Sequence, residues 1–316
     1  IIVVCLNDGS LHPAIYALIE PGALFALRTP NGKPRPLVRG DCLDSLSGRC
    51  IAAAKKALLG EYFTSNADLR ACLASDAWRD AFLPSAADPH PPAMPSAPPP
   101  LPPNAPLQLA FTPGGPELCH FILSYDYDRG RTLFGHDGVN TFNTISRSAA
   151  AQALRDCPVT ADLLPAYRLK YGRNRTLVYD RATFDFTAAG TPVLSCVRPQ
   201  QGDTWGTLLC CLAHHRSFSL TQIRCPSTTL VGFADDGHFA DPSDSTAYSA
   251  LLFFRHNLTA RTGITPNDKG GCISLTSDLS FVPPSFPGSP HLPTSPPSRF
   301  AYPVLGGLVG PPHIVS

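Results

Sequence analysis

The chain has 316 residues with 25 basic and 24 acidic side chains, a formal net charge of +1. That balance argues against the clear basic excess of a nucleic-acid-binding footprint, and no stretch approaches the ~18 consecutive apolar residues of a membrane-spanning helix. The length and the 43% hydrophobic content allow two domains of ordinary size, whereas the 35 prolines, roughly twice average usage, must gather in segments that do not fold compactly.

Residues 1–39 are apolar and punctuated at Asn7-Asp8-Gly9 and Pro30-Asn31-Gly32, where Asp–Gly and Asn–Gly pairs favour tight turns. Ile15 to Leu27 reads as short strands broken at Pro21-Gly22. Residues 42–83 read as helical. Ile51 to Leu59 is rich in strong helix formers and meets Gly60, a natural C-cap. A second helix is expected from Asn66 to Phe82, with Leu69, Cys72, Leu73 and Ala77 on one apolar face and Pro84 as its stop. Residues 84–116 hold 13 prolines and prefer extended polyproline II, as a linker or a long inserted loop.

Residues 117–282 read as β-rich, with runs at Phe121–Tyr127, Thr176–Tyr179, Pro192–Val197, Thr229–Phe233 and Cys272–Leu275. Turn clusters at 128–130, Asp137-Gly138 and 235–237 separate them, and helical insertions are expected at Ser146–Leu154 and Ala247–His256. Residues 283–303 hold eight further prolines and read as a second disordered tract; residues 304–316 turn apolar, as a lead-in to another domain. The expected fold class is α+β: a small helical, cysteine-bearing region over 1–83, then an antiparallel barrel or sandwich over 117–282. The chain reads as an internal piece of a polyprotein.

Eleven cysteines at irregular spacing, without a CxxC, argue against a zinc ribbon or a thioredoxin-type motif and suggest free thiols. Neither GxxxxGK[ST] nor GxGxxG occurs, so those two phosphate-binding motifs are absent. A cysteine nucleophile needs a nearby histidine and a lowered pKa. Gly40-Asp41-Cys42-Leu43 places Cys42 at a helix start, where the dipole favours the thiolate. Cys119-His120-Phe121 and Gly237-His238-Phe239 offer histidines beside aromatics; Cys5 and His12 lie close across a turn. Gly202-Asp203-Thr204-Trp205 resembles a papain-like nucleophile turn but has Thr204 where a cysteine is needed, so it reads as structural. His256, Asp268, Asp278 and His291 form a second constellation, of the His/carboxylate type that binds zinc.

Three stretches carry a family resemblance: Arg49-Cys50 through Leu58; Leu177 to Asp180 with Ala188-Ala189-Gly190; and Thr246 through Arg255-His256 to Phe281 and Pro287-Gly288 up to His291. The chain resembles the nonstructural replicase polyprotein of hepatitis E-like viruses, of avian type, between the methyltransferase and the macrodomain. The resemblance implies a papain-like cysteine protease, possessing deubiquitinase-like activity, in the host cytoplasm at replication sites. Cys42, Cys50 or Cys72 would be the nucleophile and His12 or His120 the base. It also implies a Zn2+ site ending in His291, whose other ligands fall near Thr265 and Asn267, with His256 or Asp268 as substitutes. The partners implied are the other replicase domains and ubiquitin-like host proteins. The alternative is a non-catalytic zinc- or lipid-binding β-barrel scaffold.

Overall fold

A computed structural model of the chain describes residues 2–19, 22–28, 34–39, 42–84, 92–139, 141–173, 175–179, 193–195, 202–267, 272–273, 302–305 and 307–309. The elements in chain order are α1 (Ile2–Asp8), α2 (Pro13–Ile19), β1 (Gly22–Arg28), β2 (Pro34–Arg39), α3 (Cys42–Thr64), α4 (Ala67–Ala74) and a 3-10 helix (Asp76–Phe82). They continue with β3 (Leu107–Gln108), α5 (Gly115–Asp128), β4 (Thr132–His136), α6 (Thr141–Thr144), α7 (Arg147–Asp156) and α8 (Leu164–Tyr171). The remainder is β5 (Arg175–Tyr179), β6 (Val193–Ser195), α9 (Gly206–Arg224), β7 (Thr229–Phe233), β8 (Asp236–Asp241), α10 (Asp244–Thr262), β9 (Cys272–Ile273), β10 (Tyr302–Val304) and β11 (Gly307–Val309). The architecture is mixed helix and sheet. No described helix is long and apolar enough to cross a membrane.

The chain divides into two compact units, Ile1–Lys56 with Asn140–Leu212 and Ala57–Val139 with Ala213–Ser316. In the first, a mixed sheet runs β2-β1-β5-β6, β1 antiparallel to β2 and parallel to β5. Leu6, Leu11 and Tyr16 form a small core with Cys5, Leu43 and Leu169. Gly9 takes φ 75° against α8, where a Cβ would stand 2.4 Å from the Pro165 carbonyl carbon, so only glycine fits. Buried Lys170 lies 3.1 Å from Asp44 and 2.8 Å from Asp203. Burial alone would raise the Asp203 pKa, but Lys170 and its hydrogen bonds hold it below the usual carboxylate value. Asp203 also accepts the Trp205 N–H at 2.9 Å, an Asx turn that leads into α9.

In the second unit a five-stranded sheet runs β3-β7-β8-β4-β9. Its two faces follow strand alternation. Leu133, Val231 and Ala240 face one way and pack with Leu109, Cys119 and Leu123, and with Val304 and Val309 of the β10–β11 hairpin. Phe134 and Phe239 face the other way, where Phe254 of α10 stacks on Phe218 of α9 with ring centroids 4.6 Å apart. A further cluster joins Leu69, Cys72, Trp78, Leu220, Ile223 and Phe253.

Several expectations change. Among the described residues no sheet closes into a barrel. The run Phe121–Tyr127 lies in helix α5: its buried residues Cys119, Leu123 and Asp126 recur with a helical period, which outweighs the β-favourable aromatic content. Ile15 belongs to helix α2, and only Gly22 onward forms the strand. Helix α3 starts at Cys42 and passes through Gly60, where a Cβ would stand 3.1 Å from the Phe111 carbonyl oxygen. That glycine serves a close backbone approach rather than a cap. The helix expected to Phe82 breaks at Ser75, whose Oγ accepts the Ala77 N–H at 3.3 Å and restarts the chain as a 3-10 turn that buries Trp78 and Ala81. Of the proline-rich stretches, residues 92–116 are described, and residues 283–301 lie outside the described residues.

Candidate functional site

The cysteine and histidine candidates are spread over both units. Cys42 and Cys50 are exposed on α3. His12 is exposed; its Nδ1 accepts the Ala14 N–H at 3.2 Å, and it lines a cleft of about 500 Å³ with Ser10, Tyr16, Arg168 and Arg173. Cys72 is buried between Leu69 and Leu220, and burial, followed by the charge on Asp68, pushes its thiol up to about 12. The Arg216 guanidinium lies 2.7 Å from its sulfur and 3.1 Å from Asp68, so Cys72 belongs to a structural ion-pair cluster. His120 is half-buried on α5, 3.4 Å from Ser124 Oγ, on a helix whose buried side belongs to a different cluster from that of Cys72. His256 is exposed on α10; Asp268, Asp278 and His291 lie outside the described residues. Among the described residues no group of three or more His, Cys, Asp or Glu side chains is set to hold a metal ion.

A different set converges in the second unit. Strands β7 and β8 form a hairpin in which Phe233 pairs with Asp236, so Ala234 and Asp235 make the turn. Strand β4 runs antiparallel to β8 with Thr132 opposite Asp241 through His136 opposite Gly237. One step beyond that last pair stand Asp137 and Asp236. Three carboxylates, Asp137, Asp235 and Asp236, are therefore gathered at one end of the sheet.

The electrostatics agree. Burial, then the negative charges of Asp235 and Asp137, push the Asp236 carboxyl up to about 7. Strand alternation puts Asp236 on the same face as Ala240, the α5 side of the sheet, and its charge adds to burial in pushing the Cys119 thiol up to about 12. The segment after α10 straps the third carboxylate: Val139 N–H donates to Thr265 O at 2.9 Å, Gly138 bridges Pro266, and Asn267 Nδ2 donates to Asp137 Oδ2 at 2.9 Å. Behind it, burial and the charges of His214, Arg255 and His238 hold His136 well below the ordinary imidazole range, so it is a neutral packing group.

Sequence reasoning placed Asp137, Asp235 and Asp236 in turns and assigned them no chemistry. The signal was present: an Asp-Asp pair at the tip of two flanking β-runs. The third member, 98 positions upstream of Asp235, becomes a partner only through β4–β8 pairing. As they stand the three side chains do not form a ready-made metal site, but hard carboxylate oxygens are the donors that Mg2+ and Mn2+ prefer.

No protein-family model and no curated protein matches the chain. Among solved structures it is similar to telomerase from Candida Tropicalis in complex with a TWJ fragment of telomeric RNA, at TM-score 0.47 and 11% identity, covering 81% of this chain and 41% of that one. It is also similar to apo telomerase from Candida Tropicalis, at TM-score 0.44 and 10% identity, covering 81% of this chain and 45% of that one. The chain thus spans less than half the length of either, and likeness at this level carries no conclusion about fold or function. Neither finding bears on the resemblance to the hepatitis E-like replicase.

Proposed function

We propose that the Asp137, Asp235 and Asp236 cluster is a metal-dependent nucleotidyl-transfer centre, and that the chain is a polymerase-type enzyme acting on nucleoside triphosphates and a primed nucleic-acid strand. The observation that carries the reading is the β4–β8 register, which ends on His136 opposite Gly237 and so brings Asp137 to the end of the sheet where the Asp235-Asp236 turn lies. Asp137, Asp235 and Asp236 would hold divalent cations, whose charge would stabilise the attacking and leaving oxygens of an in-line displacement. In the reaction a primer 3′-hydroxyl attacks the α-phosphorus, its proton passes to water, and pyrophosphate leaves.

The three aspartates anchor the site to rigid strand ends, and Asn267 fixes the rotamer of Asp137. A turn-borne cluster, rather than an enclosed pocket, suits a polymeric substrate. Residues 22–39 support the substrate class: they include Arg28, Lys33, Arg35 and Arg39 and no acid, a local basic run that a net charge of +1 conceals.

The test is incorporation of labelled nucleotides on primed RNA and DNA templates with Mg2+ or Mn2+, using the 316-residue chain and the Asp137→Asn, Asp235→Asn and Asp236→Asn variants. Extension abolished by each variant supports the reading. Primer shortening abolished by the same variants would reassign the cluster to hydrolysis, and absence of any aspartate-dependent chemistry would sink it. The thiol-protease reading stands as the alternative proposal, supported by the exposure of Cys42 and Cys50.

A further inference from the structure

The turn that presents Asp235 and Asp236 carries a constraint from outside the hairpin. Ala234 has φ 55°, in the left-handed region that alanine rarely enters. Gln108, fully buried on the neighbouring strand β3, grips that residue on both sides. Its Nε2 donates to the Ala234 carbonyl oxygen at 3.1 Å, and its Oε1 accepts the Ala234 N–H at 3.0 Å. The same Oε1 accepts the Ala110 N–H at 3.3 Å.

The grip is itself anchored. Gln108 pairs with Gly232 in the parallel β3–β7 ladder, and Leu109 N–H donates to the Gly232 carbonyl oxygen at 2.8 Å. Gly232 gives the side chain its space: a Cβ there would stand 3.0 Å from Gln108 Nε2 and 2.8 Å from the Phe218 ring. A primary amide is the side-chain group that offers a donor and an acceptor together in one plane, so it matches the N–H and C=O of a single backbone residue. Holding both fixes the peptide planes on either side of Ala234, and the second of these leads directly into Asp235.

We propose that Gln108 is the positioning residue of the carboxylate cluster: it locks the strained Ala234 so that Asp235 and Asp236 leave the turn in one arrangement, ready to share cations with Asp137. This rests on the nucleotidyl-transfer reading. Gln108 acts through the backbone and touches neither nucleotide nor cation.

The experiment measures nucleotide incorporation by the 316-residue chain against Mg2+ concentration for wild type, Gln108→Met, Gln108→Glu, Ala234→Gly, the Gln108→Met/Ala234→Gly double variant and Asp236→Asn. Gln108→Met is expected to raise the Mg2+ concentration for half-maximal rate about 10-fold or more and to lower kcat, with the nucleotide KM held within about two-fold. Gln108→Glu keeps the acceptor and loses the donor, so it falls between wild type and Gln108→Met; it also serves if Gln108→Met does not fold. Ala234→Gly relieves the strain, so the double variant should recover Tm without recovering the Mg2+ requirement. An unchanged Mg2+ requirement in folded Gln108 variants of an active enzyme overturns the assignment and leaves the nucleotidyl-transfer reading intact. A wild type without Asp236-dependent incorporation overturns both.

Discussion

Asn267 is bonded to Asp137 through both backbone and side chain: its N–H donates to the Asp137 carbonyl oxygen at 2.7 Å and its Nδ2 to Oδ2 at 2.9 Å. One residue thus fixes where the chain leaves β4 and how the carboxylate is turned. Asn267→Leu is expected to weaken Mg2+ affinity about 10-fold or more while leaving the fold intact, read from Mg2+ titration of the incorporation rate alongside circular dichroism. An Asn267→Leu enzyme with the wild-type Mg2+ dependence would show that Asp137 does not need this partner.

Asp236 shares one end of the sheet with two like charges. Asp236→Asn should abolish incorporation and, with one charge removed, raise the Tm of the metal-free protein by a few degrees, on the order of 1 kcal/mol. Differential scanning calorimetry in EDTA reads the second effect. A lowered Tm would mean that the carboxylate is stabilising and that the repulsion has been misjudged.

Arg216 supplies the charge beside buried Asp68, 3.1 Å away, while Tyr62 Oη donates to the same carboxylate at 3.1 Å. Arg216→Met leaves a buried carboxylate without its cation and is expected to destabilise the protein by about 3–5 kcal/mol in urea unfolding. Adding Asp68→Asn should recover most of that loss, since the penalty lies in the orphaned charge.

His215 is buried among aromatic rings, 5.0 Å from Phe63 and 5.3 Å from Tyr62 between centroids, and burial lowers its pKa to about 4. The sign follows from linkage: the unfolded state takes up the proton first, so the contribution of His215 is present above pH 6.5 and is lost as pH falls toward 4. A Tm profile from pH 7 to pH 4 should therefore fall, and His215→Leu should flatten it. A His215→Leu profile as steep as wild type would assign the acid lability to other groups.

Thiol reactivity separates the two functional proposals. Cys42 and Cys50 are exposed, while the Cys72 thiol, at about 12, holds almost no thiolate at neutral pH. A maleimide should label Cys42 and Cys50 rapidly and Cys72 only on unfolding, and Cys42→Ala/Cys50→Ala should leave incorporation unchanged. Labelling of a single cysteine by a ubiquitin-derived probe, dependent on His12, would instead favour the protease.

Much of the local structure was legible. The α7 and α10 helices start beside Ser146 and Ser243, whose side chains accept the Ala149 and Thr246 N–H groups, and both regions read as helical from their composition. Strands β5 and β7 were marked by β-favourable runs. A cysteine is conspicuous in a sequence, yet burial decides whether its thiol can react, and burial is not written at the position. Similarly, a net charge near zero and the absence of two glycine-rich motifs speak against particular phosphate sites; they leave carboxylate-held cations open.

By itself the sequence determined the mixed helix-and-sheet class and several turns, the one at Asp235 among them, because these depend on neighbours within a few positions. The tertiary structure decided that α5 is a helix, because its apolar residues meet one sheet face at a helical period. It also decided that Asp137, Asp235 and Asp236 are one cluster and that Gln108 holds their turn. Those relationships span 98 and 126 positions, and only strand pairing brings such distant residues to one end of a sheet.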